Sequence, residues 1–289
     1  MKNVSIDTIT QAVLSYYSDS TDPRFMFVLK ALIEHLHAFA KETELTHEEW
    51  IRGLQFLYDA GQISTPERNE FVLASDVTGL SSLIDMLGSQ HEGTSSSVLG
   101  PFHIAGAPEQ AYGADLKRDN AGATVLVTGR VSDLEGRALN GAVIEMWQTA
   151  DNGLYSNQDE AQPDYNLRLT TSVGEDGRYA FTTVRPAPYK VPDDGPVGEM
   201  LKATGRNAWR PSHLHFIVTA PGKRALVTEV FPSDDPYIDR DAVFGVREDL
   251  IMEYQQKTDL SDLPPGLEVG EDVTLPWYRV DFDFVLVDD

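Results

Sequence analysis

The chain has 289 residues, of which 41% are hydrophobic, with no cysteine and a net charge of −23 at pH 7. The missing cysteines exclude disulfides, thiolate metal ligands and a cysteine nucleophile, and the negative charge disfavours nucleic acid as a partner because its phosphates would be repelled. Without a run of 18 uncharged apolar residues, and without a basic stretch followed by an apolar run at the N-terminus, we predict a cytoplasmic protein with no membrane association.

The first ninety residues have the apolar spacing and the end signals of helices. Helix starts are indicated by an aspartate–proline pair at 22–23, a capping box at 46–49 and a threonine–proline pair at 65–66. Gly61 and Gly88 suit the ends of the second and third of these segments.

An apolar stripe at three- and four-residue spacing runs along the first of these helices, from Phe25 to Leu36. This pattern predicts packing of helix against helix. Any part of the stripe left exposed could pair two subunits or hold an apolar ligand.

From about residue 120 the pattern changes to short strands separated by turns. The predicted strands are TVLVTGRV (124–131), GAVIEMWQ (141–148), RYAFTTV (178–184), LHFIVTA (214–220), ALVTEVF (225–231) and YRVDFDFVLV (278–287). Turn signals at this density favour a β-sandwich over βαβ units. Residues 91–115 are rich in Gly, Ser and Pro and predict an extended connector. We therefore predict an α+β protein with a helical domain and connector at 1–120 and a mostly antiparallel β-sandwich at 121–289.

Two His-x-His sequences in the chain predict opposite geometries. His213 and His215 lie in RPSHLHFIVTAPG, which predicts a strand, so both imidazoles share a face and can reach one ion. His35 and His37 lie in a segment with helical spacing, where side chains two apart point roughly 200° away from each other. Only the pair at 213 and 215 can chelate a metal.

A metal site in this chain must use His, Tyr, Asp or Glu as ligands, because there is no cysteine. Two tyrosines lie in loops that suit them as further ligands. Tyr155 follows the strand that ends at residue 148, and Tyr189 lies among three prolines that leave the backbone little freedom. Taken alone, each tyrosine would be an ordinary residue at the rim of a strand.

Taken in order, these residues resemble the intradiol ring-cleaving dioxygenases of aromatic degradation. The supporting motifs are Gly129-Arg-Val131, Asp133, Gly136, Gly141 to Trp147, Gly153 to Ser156, Asp176 to Tyr179, and Arg210 before the histidine pair. The resemblance covers essentially the whole chain. It implies that Tyr155, Tyr189, His213 and His215 hold one non-haem Fe(III) per chain. It also implies that Tyr189 acts as an internal base and that Arg210 stabilises charge developing on the substrate.

The donor set fits this implication chemically. A phenol has a pKa near 10, so phenolate ligation at neutral pH needs a strong Lewis acid. Phenolates favour a ferric over a ferrous centre, which separates the site from the two-His, one-carboxylate ferrous oxygenases. Catalytic zinc, which typically uses three protein ligands and a water, would point to a hydrolase instead.

The resemblance also implies a substrate pocket. Leu73 and Asp76 are three residues apart and share a helix face; the other implied pocket residues are Val98, Leu99, Gly100, Pro101, Phe102, Arg210 and Val243, with Glu229 as a further candidate. The run from residue 96 to 102 is similar to the hydroxyquinol 1,2-dioxygenase branch, and Asp76 could accept a hydrogen bond from a third ring hydroxyl.

We therefore predict cleavage of hydroxyquinol (benzene-1,2,4-triol) with O2 between its ortho hydroxyls, giving 3-hydroxy-cis,cis-muconate and, by tautomerisation, maleylacetate. The alternative within the family is a catechol or chlorocatechol 1,2-dioxygenase. The alternative from a different class is a β-sandwich that binds aromatics without catalysis. The resemblance further implies a homodimer joined through the N-terminal helices and permits a phospholipid bound between them.

Overall fold

The computed structural model describes residues 4–17, 22–65, 68–89, 93–260 and 275–289. The chain divides into two compact units, Met1–Asp59 and Ala60–Asp289. The proline of the helix start expected at 65–66, and connector residues 91 and 92, lie outside the described residues.

The first unit is helical, as its spacing predicts. Helix α1 spans Ile9–Leu14, α2 spans Pro23–Glu42, and α3 spans His47–Ile63 and runs across the division between the units. The Asp22 carboxylate accepts a hydrogen bond from Phe25 N at 2.9 Å, and Thr46 and Glu49 exchange the two bonds of a capping box, at 2.9 and 3.3 Å. Both predicted helix starts are confirmed.

Three further helices belong to the second unit: α4 (Glu70–Val77), α5 (Leu80–Gly88) and α6 (Pro196–Ala203). Helix α4 begins after Asn69, whose side chain accepts from two backbone amides, so the start expected at 65–66 was wrong. Gly79, at φ +79°, separates α4 from α5, which ends at Gly88 as predicted. Helix α3 continues beyond Gly61 to Ile63, so the end expected at Gly61 was wrong; a glycine lowers helix propensity but does not by itself end a helix.

The rest of the second unit is built from short strands. They are β1 (Ala114–Asp115), β2 (Thr124–Asp133), β3 (Val143–Gln148), β4 (Arg168–Ser172), β5 (Arg178–Val184), β6 (Tyr189–Lys190), β7 (Trp209–Arg210), β8 (Leu214–Thr219), β9 (Leu226–Pro232), β10 (Ile251–Met252), β11 (Gln255–Lys257), β12 (Trp277–Asp281) and β13 (Phe284–Leu286), with 3-10 turns at Ile238–Arg240 and Glu248–Leu250.

Within the described residues these strands form two main sheets. One has the order β1-β5-β2-β12-β11, with β13 also paired to β2, and the other has the order β10-β9-β8-β3-β4. Alternate side chains of both sheets meet in one buried core, where Phe181 of β5 and Phe216 of β8 have ring centroids 6.5 Å apart. The α+β class and the sandwich are confirmed. The sheets are mixed rather than purely antiparallel, because β12 and β13 run parallel to β2 and β10 runs parallel to β9.

The C-terminal segment predicted as one strand is two strands. The chain bends at Phe282, whose carbonyl accepts a hydrogen bond from the hydroxyl of Tyr179 at 2.6 Å. The bend is possible because residue 129 is glycine: a Cβ there would lie 1.7 Å from the Phe282 oxygen. A glycine in β2 thus marks the close approach of another backbone segment.

In the described part of the chain, no single helix has both the length and the apolar composition needed to span a membrane; the pair α4 and α5, bent by 74°, meets that criterion only when the two are joined.

Candidate metal centre and substrate cavity

The two histidines point into the same space. His215 lies in β8 and His213 stands just before it, so their side chains share a face of the sheet. Their Nε2 atoms are 3.1 Å apart, and both side chains are buried. The control sequence behaves as predicted: His35 and His37 lie in α2, and the His37 ring contacts Thr10 Oγ1 at 3.1 Å.

The register of the second sheet places His215 in a row of functional side chains. Directly opposite it on the two neighbouring strands lie Trp147 and Glu229, and Trp147 in turn faces Arg168 of β4. The Trp147 ring stacks on the His215 ring at 4.7 Å and 5°. Since residues directly opposite each other share a face, the sheet fixes all four on the side that carries the site.

The loop after β3 brings Tyr155 to the histidines. Its hydroxyl lies 3.2 Å from His213 Nε2 and 3.0 Å from His215 Nε2, and the side chain is fully buried. Gly153, at φ +78°, turns this loop so closely that a Cβ there would lie 3.4 Å from the Pro188 oxygen. The backbone of the Tyr155 loop therefore approaches the segment that carries Tyr189.

Tyr189 is positioned by a two-stranded pair. In the β6–β7 ladder Tyr189 lies directly opposite Arg210. The Tyr189 ring centroid is 5.7 Å from that of Tyr155 and 5.6 Å from that of His213. The four side chains expected to hold a metal therefore converge, with Arg210 beside them.

Burial keeps all four groups neutral unless a cation is bound. Burial raises the pKa of Tyr155 well above its usual value, with a further rise from Tyr189. It also raises the pKa of Tyr189, although Arg210 acts against this. Burial lowers the pKa of His213 to about 4 and that of His215 well below its usual range. The imidazoles thus present lone pairs, and the phenols ionise only against a positive charge.

The contacts at the centre fit a bound cation better than a set of hydrogen bonds. His213 Nδ1 lies 2.7 Å from the Pro211 carbonyl and so carries the ring proton, which leaves Nε2 as an acceptor. Three contacts of 3.0 to 3.2 Å then join Tyr155 Oη and the two Nε2 atoms, and too few protons are present to bridge them. A metal ion held by Tyr155 Oη and the two Nε2 atoms would use all three lone pairs at once.

A buried ionic network lies behind the histidines. Arg210 donates to Glu229 at 2.7 and 3.0 Å and to Asp241 at 3.1 and 3.3 Å. Ser97 Oγ donates to Glu229 at 2.7 Å. Although burial acts to raise it, the Arg210 guanidinium holds the pKa of Glu229 below its usual value. The Glu229 carboxyl group is therefore ionised beside the guanidinium.

Glu229 gives the site a second possible donor set. Its Oε1 lies 3.4 Å from His213 Nε2 and 3.5 Å from His215 Nδ1, so two histidines and one carboxylate also form a cluster. Glu229 already accepts from Arg210 and Ser97, however, and these bonds hold both of its oxygens. We therefore assign Glu229 to the support of Arg210 rather than to the metal.

A cavity of about 420 Å³ opens beside Tyr189 and Arg210. Eight of the nine residues expected to bind substrate line it: Leu73, Asp76, Val98, Gly100, Pro101, Phe102, Arg210 and Val243. Leu99 does not line the cavity: its side chain is 43% exposed, whereas that of its neighbour Val98 is buried and lines the cavity. The volume falls within the usual range for small-molecule sites.

Sequence reasoning missed several residues of the site. Asp241 anchors Arg210, Trp147 stacks on His215, and His103, Glu70 and Gln158 line the cavity. Trp147 stands within a motif that carries the resemblance, so its position was a usable signal. Asp241 had no such signal, since 31 residues separate it from Arg210.

Comparisons with known proteins give family matches over most of the chain. Residues 98–287 match the family described as Dioxygenase, and residues 22–95 match that described as Catechol dioxygenase N terminus. The chain is 44% identical over 280 residues to a hydroxyquinol 1,2-dioxygenase from a Rhizobium species, covering 96% of this chain and 93% of the relative. It is 43% identical over 288 residues to a 6-chlorohydroxyquinol 1,2-dioxygenase from Cupriavidus pinatubonensis, covering 99% of both. The crystal structure of hydroxyquinol 1,2-dioxygenase from Pseudomonas putida superposes with a TM-score of 0.91 at 42% identity, covering 98% of this chain and 99% of that one.

Proposed function

Because this chain belongs to the intradiol ring-cleavage dioxygenase family, we propose that it cleaves hydroxyquinol with O2 between the ortho hydroxyls. The product is 3-hydroxy-cis,cis-muconate, which tautomerises to maleylacetate. Relatives at 42 to 44% identity over nearly the whole chain carry the hydroxyquinol name, which supports this substrate over catechol.

We propose that one Fe(III) per chain is held by Tyr155, Tyr189, His213 and His215. The observation that carries this assignment is the set of three mutual contacts of 3.0 to 3.2 Å among Tyr155 Oη and the two Nε2 atoms. When bound, the ferric ion would chelate the ortho-diol as a catecholate and make its ring reactive towards O2. Both tyrosines are buried, so the ion would also keep them as phenolates.

The cavity supplies the means to orient the ring. Phe102 and Val98 give apolar walls, and Phe102 stacks on the Tyr155 ring at 4.7 Å. Asp76, on α4, lines the same cavity as Arg210 and Tyr189. We propose that its carboxylate accepts a hydrogen bond from the third hydroxyl of the triol. A pocket that bonds this hydroxyl should reject the diol that lacks it.

Two residues would act on the bound substrate. Tyr189 lines the cavity, and its oxygen, when ionised, would take the proton from one ring hydroxyl as the diol binds. Arg210 lines the cavity with its guanidinium held rigid by two carboxylates, and it would stabilise negative charge developing on the substrate oxygens.

Oxygen uptake with three substrates tests the proposal. Benzene-1,2,4-triol should be turned over with a higher kcat/KM than catechol or the chlorocatechols. Faster use of catechol would move the protein to the catechol branch. No uptake with any of them, from protein loaded with iron, would favour an aromatic-binding sandwich without catalysis.

We also propose a homodimer joined through the N-terminal helices. No side chain of α2 is buried in the single chain, and its apolar residues include exposed ones such as Phe27 (66% exposed) and Leu36 (54% exposed). The proposal extends to a phospholipid held between these helices, and it keeps the division into a dimerisation domain at 1–120 and a catalytic domain at 121–289. Mass by light scattering and extraction of bound lipid are the measurements. A cytoplasmic location stays a prediction from the sequence.

A further inference from the structure

Arg168 is a buried cation without a carboxylate partner. It lies in β4, and its exposed fraction is 2%. Nε donates to Ser156 Oγ at 2.9 Å and Nη2 donates to Asn157 Oδ1 at 3.1 Å, both of them neutral acceptors. Among the residues that the structure describes, Nη1 has no hydrogen-bond partner. Within the described ranges of the chain, no carboxylate lies within ion-pair distance of this guanidinium.

An uncompensated buried charge is costly, so proteins rarely keep one without a counter-charge. Burial lowers the pKa of Arg168 to about 10, and the phenols of Tyr155 and Tyr165 act to raise it. The guanidinium carbon lies over the Tyr155 ring, 6.0 Å from its centroid. Ser156 and Asn157 directly follow Tyr155, so the same guanidinium also holds the loop that presents this tyrosine.

The two tyrosines of the site therefore have different electrostatic surroundings. Arg210, which lies opposite Tyr189, is neutralised by Glu229 and Asp241. Arg168, which lies over Tyr155, has no carboxylate of this kind beside it within the described residues. A full charge in a site that excludes water acts strongly over this distance.

We propose that Arg168 is a positioning residue for the metal site: it supplies the counter-charge of the Tyr155 phenolate and fixes the loop that presents it. This inference rests on the proposed function, because Tyr155 carries a negative charge only as a metal ligand. A nearby cation stabilises the filled orbitals of the phenolate. More energy is then needed to transfer an electron from that phenolate to the metal, so the visible charge-transfer band moves to shorter wavelength.

The test compares the visible band and the iron affinity of four iron-loaded variants. Arg168→Gln removes the charge and keeps an amide donor, whereas Arg168→Lys keeps the charge and loses the planar guanidinium group with its paired N–H donors. Asn157→Asp places a carboxylate where Nη2 now meets a neutral amide, and Ser156→Ala removes one hydrogen bond without changing any charge. Arg168→Gln and Asn157→Asp should move the band to longer wavelength, and Arg168→Gln should bind iron about 10–100-fold more weakly. Arg168→Lys and Ser156→Ala should keep the band of the wild type.

A wild-type band in both Arg168→Gln and Asn157→Asp would overturn the inference. So would a shift in Arg168→Lys as large as that in Arg168→Gln, because charge would then not be the cause. If Arg168→Gln does not fold, the isosteric change Asn157→Asp decides the question alone. A wild-type protein that is colourless when loaded with iron would instead refute the proposed function, so the two failures can be told apart.

Discussion

Replacing Glu229 by glutamine tests which of two sets of side chains binds the metal: two tyrosines with two histidines, or two histidines with Glu229. If Glu229 supports Arg210, the variant should still bind iron through two tyrosines and two histidines. If Glu229 is itself a ligand, the variant should lose the metal. Asp241→Asn is the matched control, because it also removes a carboxylate from beside Arg210, but within the described residues Asp241 forms no ion pair with a histidine.

The expected cost in stability follows from the contacts. Glu229 accepts three hydrogen bonds, two from Arg210 and one from Ser97. A glutamine retains one acceptor oxygen, and its amide can donate to Ser97, whose hydroxyl also donates to the Gly245 carbonyl at 2.7 Å. One bond to the buried guanidinium is lost, which should lower the free energy of unfolding by about 1.5–3 kcal/mol. Arg210→Met leaves two buried carboxylates without a cation and should cost about 3–5 kcal/mol.

Urea unfolding followed by circular dichroism measures these differences, and metal analysis with visible spectroscopy measures the iron. We expect Glu229→Gln and Asp241→Asn to keep iron and colour, with reduced turnover because Arg210 is less firmly held. The reasoning would be refuted if Glu229→Gln alone lost its iron while the Tyr155→Phe and Tyr189→Phe variants kept theirs.

Three further predictions concern substrate choice, pH and the support of the ligands. Asp76→Asn should lower kcat/KM for the triol about 10–100-fold, because that is the contribution of a hydrogen bond to a charged acceptor. The kcat/KM for catechol should change far less. Equal losses for the two substrates in oxygen uptake would contradict the prediction. Burial raises the pKa of Asp85 to about 6, above its unfolded value of 3.8. Because the folded state then binds this proton more tightly than the unfolded state, protonation of Asp85 stabilises the fold. That stabilisation is fully present below about pH 4 and is lost as pH rises through 6. Asp85→Asn should flatten that decline in urea unfolding and stabilise the protein by about 1 kcal/mol at pH 7, a figure reduced for the half-exposed position of Asp85; an unchanged pH profile would count against it. Asp235 accepts hydrogen bonds from the backbone N of Ser212 at 2.9 Å and from its hydroxyl at 2.7 Å, immediately before His213. Asp235→Ala should therefore weaken iron binding about 10–100-fold in a metal titration. Wild-type affinity would show that Asp235 does not position His213.

Local patterns predicted those parts of the site that depend on short-range geometry. The period of two in β8 placed His213 and His215 on one face, and the helical period separated His35 from His37. Capping signals at Asp22 and at residues 46–49 located two helix starts for the same reason: each partner lies within one turn of the chain.

The rest depended on contacts between distant segments. The ladder of Tyr189 with Arg210 consists of two strands of two residues each, too short to give a periodic signal. The break between β12 and β13 is set by Gly129, about 150 residues away, and the anchors of Arg210 come from two other segments. The convergence of the tyrosines with the histidines came from the family resemblance, since neither loop alone indicates where it lies in the fold. The domain boundary at residue 120 stays a prediction.

The most direct measurement is the iron content and visible spectrum of the purified, iron-loaded protein beside its Tyr155→Phe and Tyr189→Phe variants. Our account predicts about one iron per chain and a broad visible absorption from phenolate-to-iron charge transfer, which changes or disappears in each variant. An iron-loaded protein without this absorption, or the same spectrum in both variants, would contradict ligation by two phenolates and with it the proposed reaction.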